Sequence, residues 1–405
     1  MKKSLITTVA VIAHAGLVHG QGLYDIAPNE EARESSPITW NAGLLYNYDD
    51  NVSPTANLAS DDEASSVNAY IGATLVDITP QTTWDVFVRL GGTFYLEQLE
   101  ADGADEIYGQ SRLGLNWAHR INERLRLSSR NYFAYELEPD YSYGFSTDRQ
   151  LDEYFHYQTD NAVGYRWTQH ASTYTGFTIR GVDYQGSASG NDRLLYSFYN
   201  QFRYRTSEQT VWTADYRYGE TESSGTADDS INHFLLLGVE HRFSPQSVIA
   251  VKGGMQMRDV DGGADEDSPF MEAAIRTRMN EQLSVRAFTR YSIEDYGTSF
   301  DNFTYDTNET LRVGISSDYI LSPQITLQAG VNLIFMDMQD GRLVPGGAPR
   351  ADADTDLINL YLGCAYKIND GLFLTGSYNW TDSDSDLPGR TYERNRVSIG
   401  LRTEF

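Results

Sequence analysis

The residues with the most chemical reach in this chain are basic side chains that fall on the polar side of alternating stretches. They are Arg89, Arg112, Arg126, Arg130, Arg203, Lys252, Arg276, Arg286, Arg290 and Arg312, with Asp160, Glu240 and Glu272 in equivalent positions. Strands send successive side chains to opposite faces, so these charges would share one face of a sheet. Rings of basic side chains on a pore wall favour anions. The same groups, each met by a carboxylate or water, would be ordinary wall chemistry, and both readings stand. Counted about the short turns, Glu240 should face Lys252, and Glu272 should face Arg290. Arg112 should likewise face Arg130, and Arg276 should face Arg286. The last two are like-charge pairs, which destabilise a sheet unless a counter-charge is near.

Other chemistry is sparse. The seven histidines are scattered and show no metal-ligand spacing. No Ser, His and carboxylate set shares a strand end, and no glycine loop sits on a strand–helix unit to hold phosphate. Asp382-Ser383-Asp384-Ser385-Asp386 with Glu393 has part of the spacing of a calcium loop, but Leu387 stands where the sharp turn needs Gly. We therefore expect no catalytic residue, no metal and no cofactor. A formal charge of −26 argues against nucleic acid as a partner.

The elements that must position these charges are strands. Ile38 to Tyr48 alternates Trp40, Ala42, Leu44, Tyr46 and Tyr48 with Asn41, Gly43, Leu45 and Asn47. Trp84, Val86, Val88 and Leu90 alternate with Asp85 and Arg89, and Val397, Ile399, Leu401 and Phe405 with Arg396 and Arg402. Short turns recur roughly every 36 to 48 residues, the length of two strands and two connections. Long loops rich in Asp, Gly and Ser lie between them. Lysine pair Lys2-Lys3 followed by the apolar run Leu5 to Ala13 has the form of a secretory signal. Residues 1–20 are read as that signal, 21–37 as a polar periplasmic lead-in and 38–405 as the sheet. No stretch is long and apolar enough for a spanning helix, so entry into a membrane requires a closed barrel.

The aromatics sort by strand end. Trp40, Trp84, Trp117, Trp167, Trp212, Phe243, Tyr319, Tyr366 and Phe405 lie beside the short turns, and Trp380 lies at a long-loop end with Tyr48, Phe94, Tyr135, Tyr218, Tyr291 and Phe335. Two aromatic rings flanking an apolar band suit the two membrane interfaces. The expected fold is an all-β, transmembrane, antiparallel up-and-down barrel of about 18 strands, with sixteen as the alternative count. In the seventh strand, Thr173 to Tyr184, neither face is clearly apolar. Charges on the lipid face would each cost about 2–4 kcal/mol near mid-bilayer, which places the arginines inward. Tyr70, Phe87, Tyr95, Tyr108, Tyr132, Phe234 and Phe288 also fall inward, either to stack on sugar rings or to pack. The strand ending at Phe405 should close against the one beginning at Ile38.

Tyr46-Asn47-Tyr48-Asp49-Asp50-Asn51-Val52 and the terminal Phe405 resemble the outer-membrane β-barrel porin families of Gram-negative bacteria, most of all the beta-barrel porin 2 type. Thr403 departs from the pattern, because such C-terminal strands usually carry an apolar residue there. The resemblance implies an outer-membrane location and contact with lipid and lipopolysaccharide. It also implies recognition of the last strand by the barrel-assembly machinery. A channel narrowed by inward-folded loops, with Glu138 to Asp152 long enough to serve, would pass small hydrophilic, anionic solutes. Export of an acidic exopolysaccharide, a structural or adhesive barrel, and a barrel enzyme are the alternatives.

Overall fold

In the computed structural model, residues 38–405 are described, apart from 53–62, 98, 100–105, 138–152, 186–191, 225–227, 264, 296–298, 301–302, 344–348 and 388–389. The expected signal and lead-in, and the loop from Glu138 to Asp152, lie outside the described residues.

Eighteen long strands, each antiparallel to the next, form one closed sheet. The circuit runs from Ile38–Asp49 through seventeen hairpin steps to Tyr392–Glu404, which pairs back onto the first strand. Two-residue pieces, Ser299–Phe300 and Pro349–Arg350, add to the ends of their neighbours. The seventh strand is present as Ala171–Tyr184, hydrogen-bonded on both sides despite its weak alternation. No helix among the described residues is long and apolar enough to cross a membrane.

The short turns share a local cause. Asn122 Oδ1 accepts from the backbone N–H groups of Arg124 and Leu125, and Asn280 Oδ1 from those of Gln282 and Leu283, at 2.8–2.9 Å. Thr168, Ser207 and Ser322 use their hydroxyls in the same way two and three residues on. A short side-chain acceptor thus stands in for a backbone carbonyl and fixes the chain reversal.

Two faces result. Leu44, Ile71, Leu90, Phe198, Leu237, Leu362 and Ile399 are among many large apolar side chains left exposed on the outside, with Leu237 at 71%. A soluble sheet would bury that face. Trp40, Trp84, Trp167, Trp212, Phe243, Tyr319, Tyr366 and Phe405 are exposed on it near the short turns, and the Trp84 and Trp117 rings lie 5.9 Å apart across one strand pair. Trp380, at the opposite end, donates its indole N–H to Glu393 at 2.8 Å.

Toward the long loops the sheet extends further than the apolar alternation does. Phe303–Ser322 and Ala353–Asn369 begin well before Leu311 and Ile358, where the outward apolar series Leu311-Val313-Ile315 and Ile358-Leu360-Leu362 start. Thr, Asn, Asp and Glu fill the extra length. Each backbone there is paired by its neighbour, so the strand persists without an apolar face. The Asp382–Asp386 segment is affected too. Its first four residues belong to the strand Leu372–Ser385, and Asp382 lies opposite Glu393 across a hairpin, not in a helix-flanked loop.

Closure occurs where the terminal strands predict it. Trp40 N–H donates to Phe405 O at 2.8 Å and Phe405 N–H to Trp40 O at 2.9 Å. At the other end of this seam Asp49 takes a two-point contact from Arg394, one arm at 2.6 Å, and Asp50 accepts from the Asn395 backbone and side-chain amide at 2.6 and 2.8 Å. The Arg394 side chain is 2% exposed. Removing one partner of a buried ion pair strands the other. Asp49→Ala should therefore cost about 3–5 kcal/mol, read as a lower urea midpoint of tryptophan fluorescence in detergent micelles.

Candidate functional site

The barrel interior is the one surface where charge is concentrated on regular structure. Strand parity puts Arg89, Arg112, Arg126, Arg130, Asp160, Arg203, Glu240, Lys252, Glu272, Arg276, Arg286, Arg290 and Arg312 on the face opposite the exposed apolar side chains. What they meet there differs in part from the counted pairs. Glu272 does stand opposite Arg290, and Arg276 opposite Arg286. Glu240, however, stands opposite Ala250, and Lys252 opposite Gly238. The cause is a bulge between Arg242 and Ser244, which offsets the register beside the turn. Arg112 stands opposite Ala134 and Arg130 opposite Asn116, because Asn122 centres that turn on Glu123 and not on Ile121. Arg112 instead faces Arg89 on its other side, and Arg130 faces Asp160.

Most of these cations are held by carboxylates. Arg203 grips Glu240 with both terminal nitrogens at 2.6 Å, and both are buried. Lys252 Nζ lies 3.0 Å from Asp215, close enough for an ion pair although the angle is not that of a hydrogen bond. Arg112 contacts Glu136, and Arg286 reaches Asp318 at 3.5 Å. Asp160 accepts from the Tyr199 hydroxyl at 2.7 Å. Against this background Arg89, Arg126, Arg217 and Arg276 form no ion pair among the described residues. Arg89 lies over the Tyr70 ring at 3.6 Å, and Arg217 is 6.0 Å from the Phe270 centroid. Arg217 is also buried, and its Nε and Nη2 have no hydrogen-bond partner.

The inward aromatics divide clearly. Tyr70, Phe87 and Phe288 lie flat on Gly43, Gly114 and Gly314, the residues directly opposite them in the register. Tyr174 on Gly164 and Tyr199 on Gly176 repeat the arrangement. Any Cβ on these glycines would overlap the ring. The rings therefore cover wall backbone and leave the bore clear, as an aromatic laid across a strand glycine does. Tyr95 and Tyr108 pack edge to face at 5.9 Å inside a cluster with Val52, Leu99 and Leu137. Phe234 meets Phe270 at 5.5 Å and Tyr132 meets His156 at 5.9 Å. These are packing contacts.

One feature has no signature in the strand pattern. Just past the strand Leu283–Ile293, Glu294 and Asp295 turn inward. Glu294 is held by Arg290 and by three contacts from Arg312 at 2.7–3.0 Å. Asp295 accepts from Thr221 and Ser230 hydroxyls at 2.8 Å and from Arg258 at 2.9 Å, and its carbonyl receives Arg193 at 3.4 Å. Those partners sit on four strands, from Arg193–Arg205 to Ser247–Val260. The segment thus reaches across the loop end of the barrel interior. Arg258 and Arg342 extend the network to Asp306 and Asp228. Loop residues outside any periodic stretch give no sequence signal for such a tether.

Burial pushes the Asp295 carboxyl up, but Arg258 and the Ser230 and Thr221 hydroxyls outweigh it and hold it below its ordinary value. Glu294, buried against Arg312 and Arg290, is held down to about 2. A depressed folded-state value means that the stabilisation is present above the ordinary carboxylate range and is lost as pH falls through the folded value. Hydrogen exchange at Glu294 and Asp295, taken relative to the intrinsic rate at each pH, should stay slow through pH 5 and rise only in stronger acid. Asp295→Asn should make it fast at neutral pH.

The ring-on-glycine pairs are also testable. Gly314→Val should lower stability by about 1–3 kcal/mol through overpacking. Adding Phe288→Ala should recover part of that loss in the same unfolding measurement.

No protein-family model matches this sequence, and no curated protein matches it. Among solved structures, the chain is similar to Acinetobacter baumannii OccAB3 at 12% identity, covering 91% of this chain and 99% of that one, with a TM-score of 0.46. Acinetobacter baumannii OccAB4 gives 13% identity, 92% and 99% coverage, and a TM-score of 0.46. Pseudomonas aeruginosa OccK2 (OpdF), solved in complex with glucuronate, gives 11% identity, 91% and 98% coverage, and 0.47. Identities this low transfer neither ligand nor function.

Proposed function

We propose that this chain is an outer-membrane channel for passive diffusion of small hydrophilic solutes, with a mild preference for anions. The observation that carries the reading is the inversion of the two faces: large apolar side chains outside, and arginines, carboxylates, amides and hydroxyls inside a closed sheet. Such a wall separates a lipid solvent from an aqueous one. Passage would run between the charged wall and the Glu294–Asp295 segment, which narrows the loop end.

The anion preference rests on imbalance, not on the number of arginines. Ion-paired residues such as Arg203 with Glu240 present little net charge to a passing solute. Arg89, Arg126 and Arg276 keep theirs. Charged rings of one sign select for the opposite ion. An export role for an acidic polysaccharide would use the same groups and gains no observation of its own.

Planar-bilayer recording under a salt gradient tests both parts. The wild-type protein should conduct with a reversal potential on the anion side. Replacing Arg89, Arg126 and Arg276 with serine should move that potential toward cations, whereas Arg203→Ser with Glu240→Ser should leave it nearly unchanged. A closed, non-conducting barrel would sink the channel reading.

A further inference from the structure

The exterior wall has an interruption that conduction does not use. Midway along four adjacent strands, from Leu125–Glu136 to Arg193–Arg205, the outward positions are Ser129, Asn131, Thr159, Asn161, Thr175 and Asn200. Elsewhere the band carries side chains such as Leu237, Ile315 and Leu362. Ser129 stands opposite Asn161 and Asn131 opposite Thr159, and the pair Thr175 and Asn200 lies one diagonal step from Asn161, whose direct neighbour on the seventh strand is Phe177. Ser129 Oγ donates to Asn161 Oδ1 at 2.7 Å, and Asn131 Nδ2 donates to Ser129 Oγ at 3.0 Å. Asn161 Nδ2 donates to Thr159 at 2.7 Å, and Asn200 Nδ2 to Thr175 at 2.6 Å. Apolar outward residues bracket the patch on the same strands: Leu127 and Phe133, Val163 and Tyr157, Phe202 and Phe198. It therefore lies within the apolar band and not at an aqueous rim.

An amide offers two N–H donors and an oxygen with two acceptor sites. The bonds within the patch use only part of that capacity, and hydrocarbon offers nothing to the rest. The seventh strand, in which neither face is clearly apolar in the sequence, contributes Thr175.

We propose that this face is the docking surface for a second copy of this chain within the membrane, an inference that rests on the membrane reading above. The patch is uncharged and carries donors and acceptors together, so it complements itself, as an interface between identical copies requires. A charged partner would leave its charge unmatched here. Ser, Thr and Asn are short enough to let two walls approach, and in lipid such groups act as contacts between protein segments. Phe133 stacked on Phe155 at 6.5 Å and Phe177 beside Phe198 at 6.4 Å supply a flat apolar surround.

The test is crosslinking in vesicles. Cys364 is the sole cysteine and is exposed, so the background is Cys364→Ser. With a short bifunctional maleimide, Asn131→Cys and Asn200→Cys should each give a species of twice the monomer mass, and Leu362→Cys on the far outer wall, in the strand Ala353–Asn369, should give none. Replacing Asn131, Asn161 and Asn200 together with leucine should shift the detergent-solubilised mass to that of a monomer, with heat-modifiable gel mobility retained as proof of folding. Monomer alone from both asparagine positions, equal crosslinking from Leu362→Cys, or adducts of a different mass would overturn the proposal. Flotation of the vesicles separates this from failure of the membrane reading: a protein that floats but does not crosslink contradicts the docking surface only.

Discussion

A sheet placed in lipid can have no open edge, and the rest of this structure depends on that constraint. Every backbone N–H and C=O in the apolar band must find a partner in the protein. The mutual bonds between Trp40 and Phe405, and the Asp49–Arg394 and Asp50–Asn395 contacts at the far end, complete the circuit. Once the ring is closed, strand alternation has only two destinations. One parity goes to the outside and the other to the interior, and no side chain can change sides without a register slip that would reverse its whole strand.

Inside, the problem is to keep many cations without closing the bore. Carboxylates on neighbouring strands neutralise most of them, and glycines opposite Tyr70, Phe87, Tyr174, Tyr199 and Phe288 let the rings lie down on the wall. Both devices work across the strand pair and not along the strand. They leave a few arginines uncompensated, and the Glu294–Asp295 segment is anchored to the strands by the same currency of guanidinium and hydroxyl contacts. Wall and tether are therefore one network.

The two faces, the aromatic sorting, the number of strands and the closing pair were legible in the sequence, because each follows from period-two alternation. The partners of individual charges were less so. Glu240 and Lys252 miss each other because one bulge near Phe243 offsets the register, and Arg112 and Arg130 because Asn122 moves the turn centre by two residues. Such local choices are made by one side-chain acceptor, and hydrophobic pattern does not record them. Strand ends beyond the band were illegible for a related reason. Above the apolar zone, backbone pairing alone sustains Phe303–Ser322, and no alternation is needed. The tether at Asp295 comes from a loop, where there is no period to read. The Tyr46–Val52 motif gains a role in turn. Its Asp49, Asp50 and Asn51 bind the start of the closing strand, and Asn47 accepts from Ser398 midway along it.

The central claim is that alternate residues of each strand face two different solvents. Single cysteines from Leu311 to Asp318, in the Cys364→Ser background and in reconstituted vesicles, measure this directly with a membrane-impermeant thiol reagent. Arg312, Ser316 and Asp318 positions should label, Gly314 being left out because the Phe288 ring covers it, and Leu311, Val313, Ile315 and Ser317 positions should not. Labelling without a period of two, or labelling of the second set, would contradict the account.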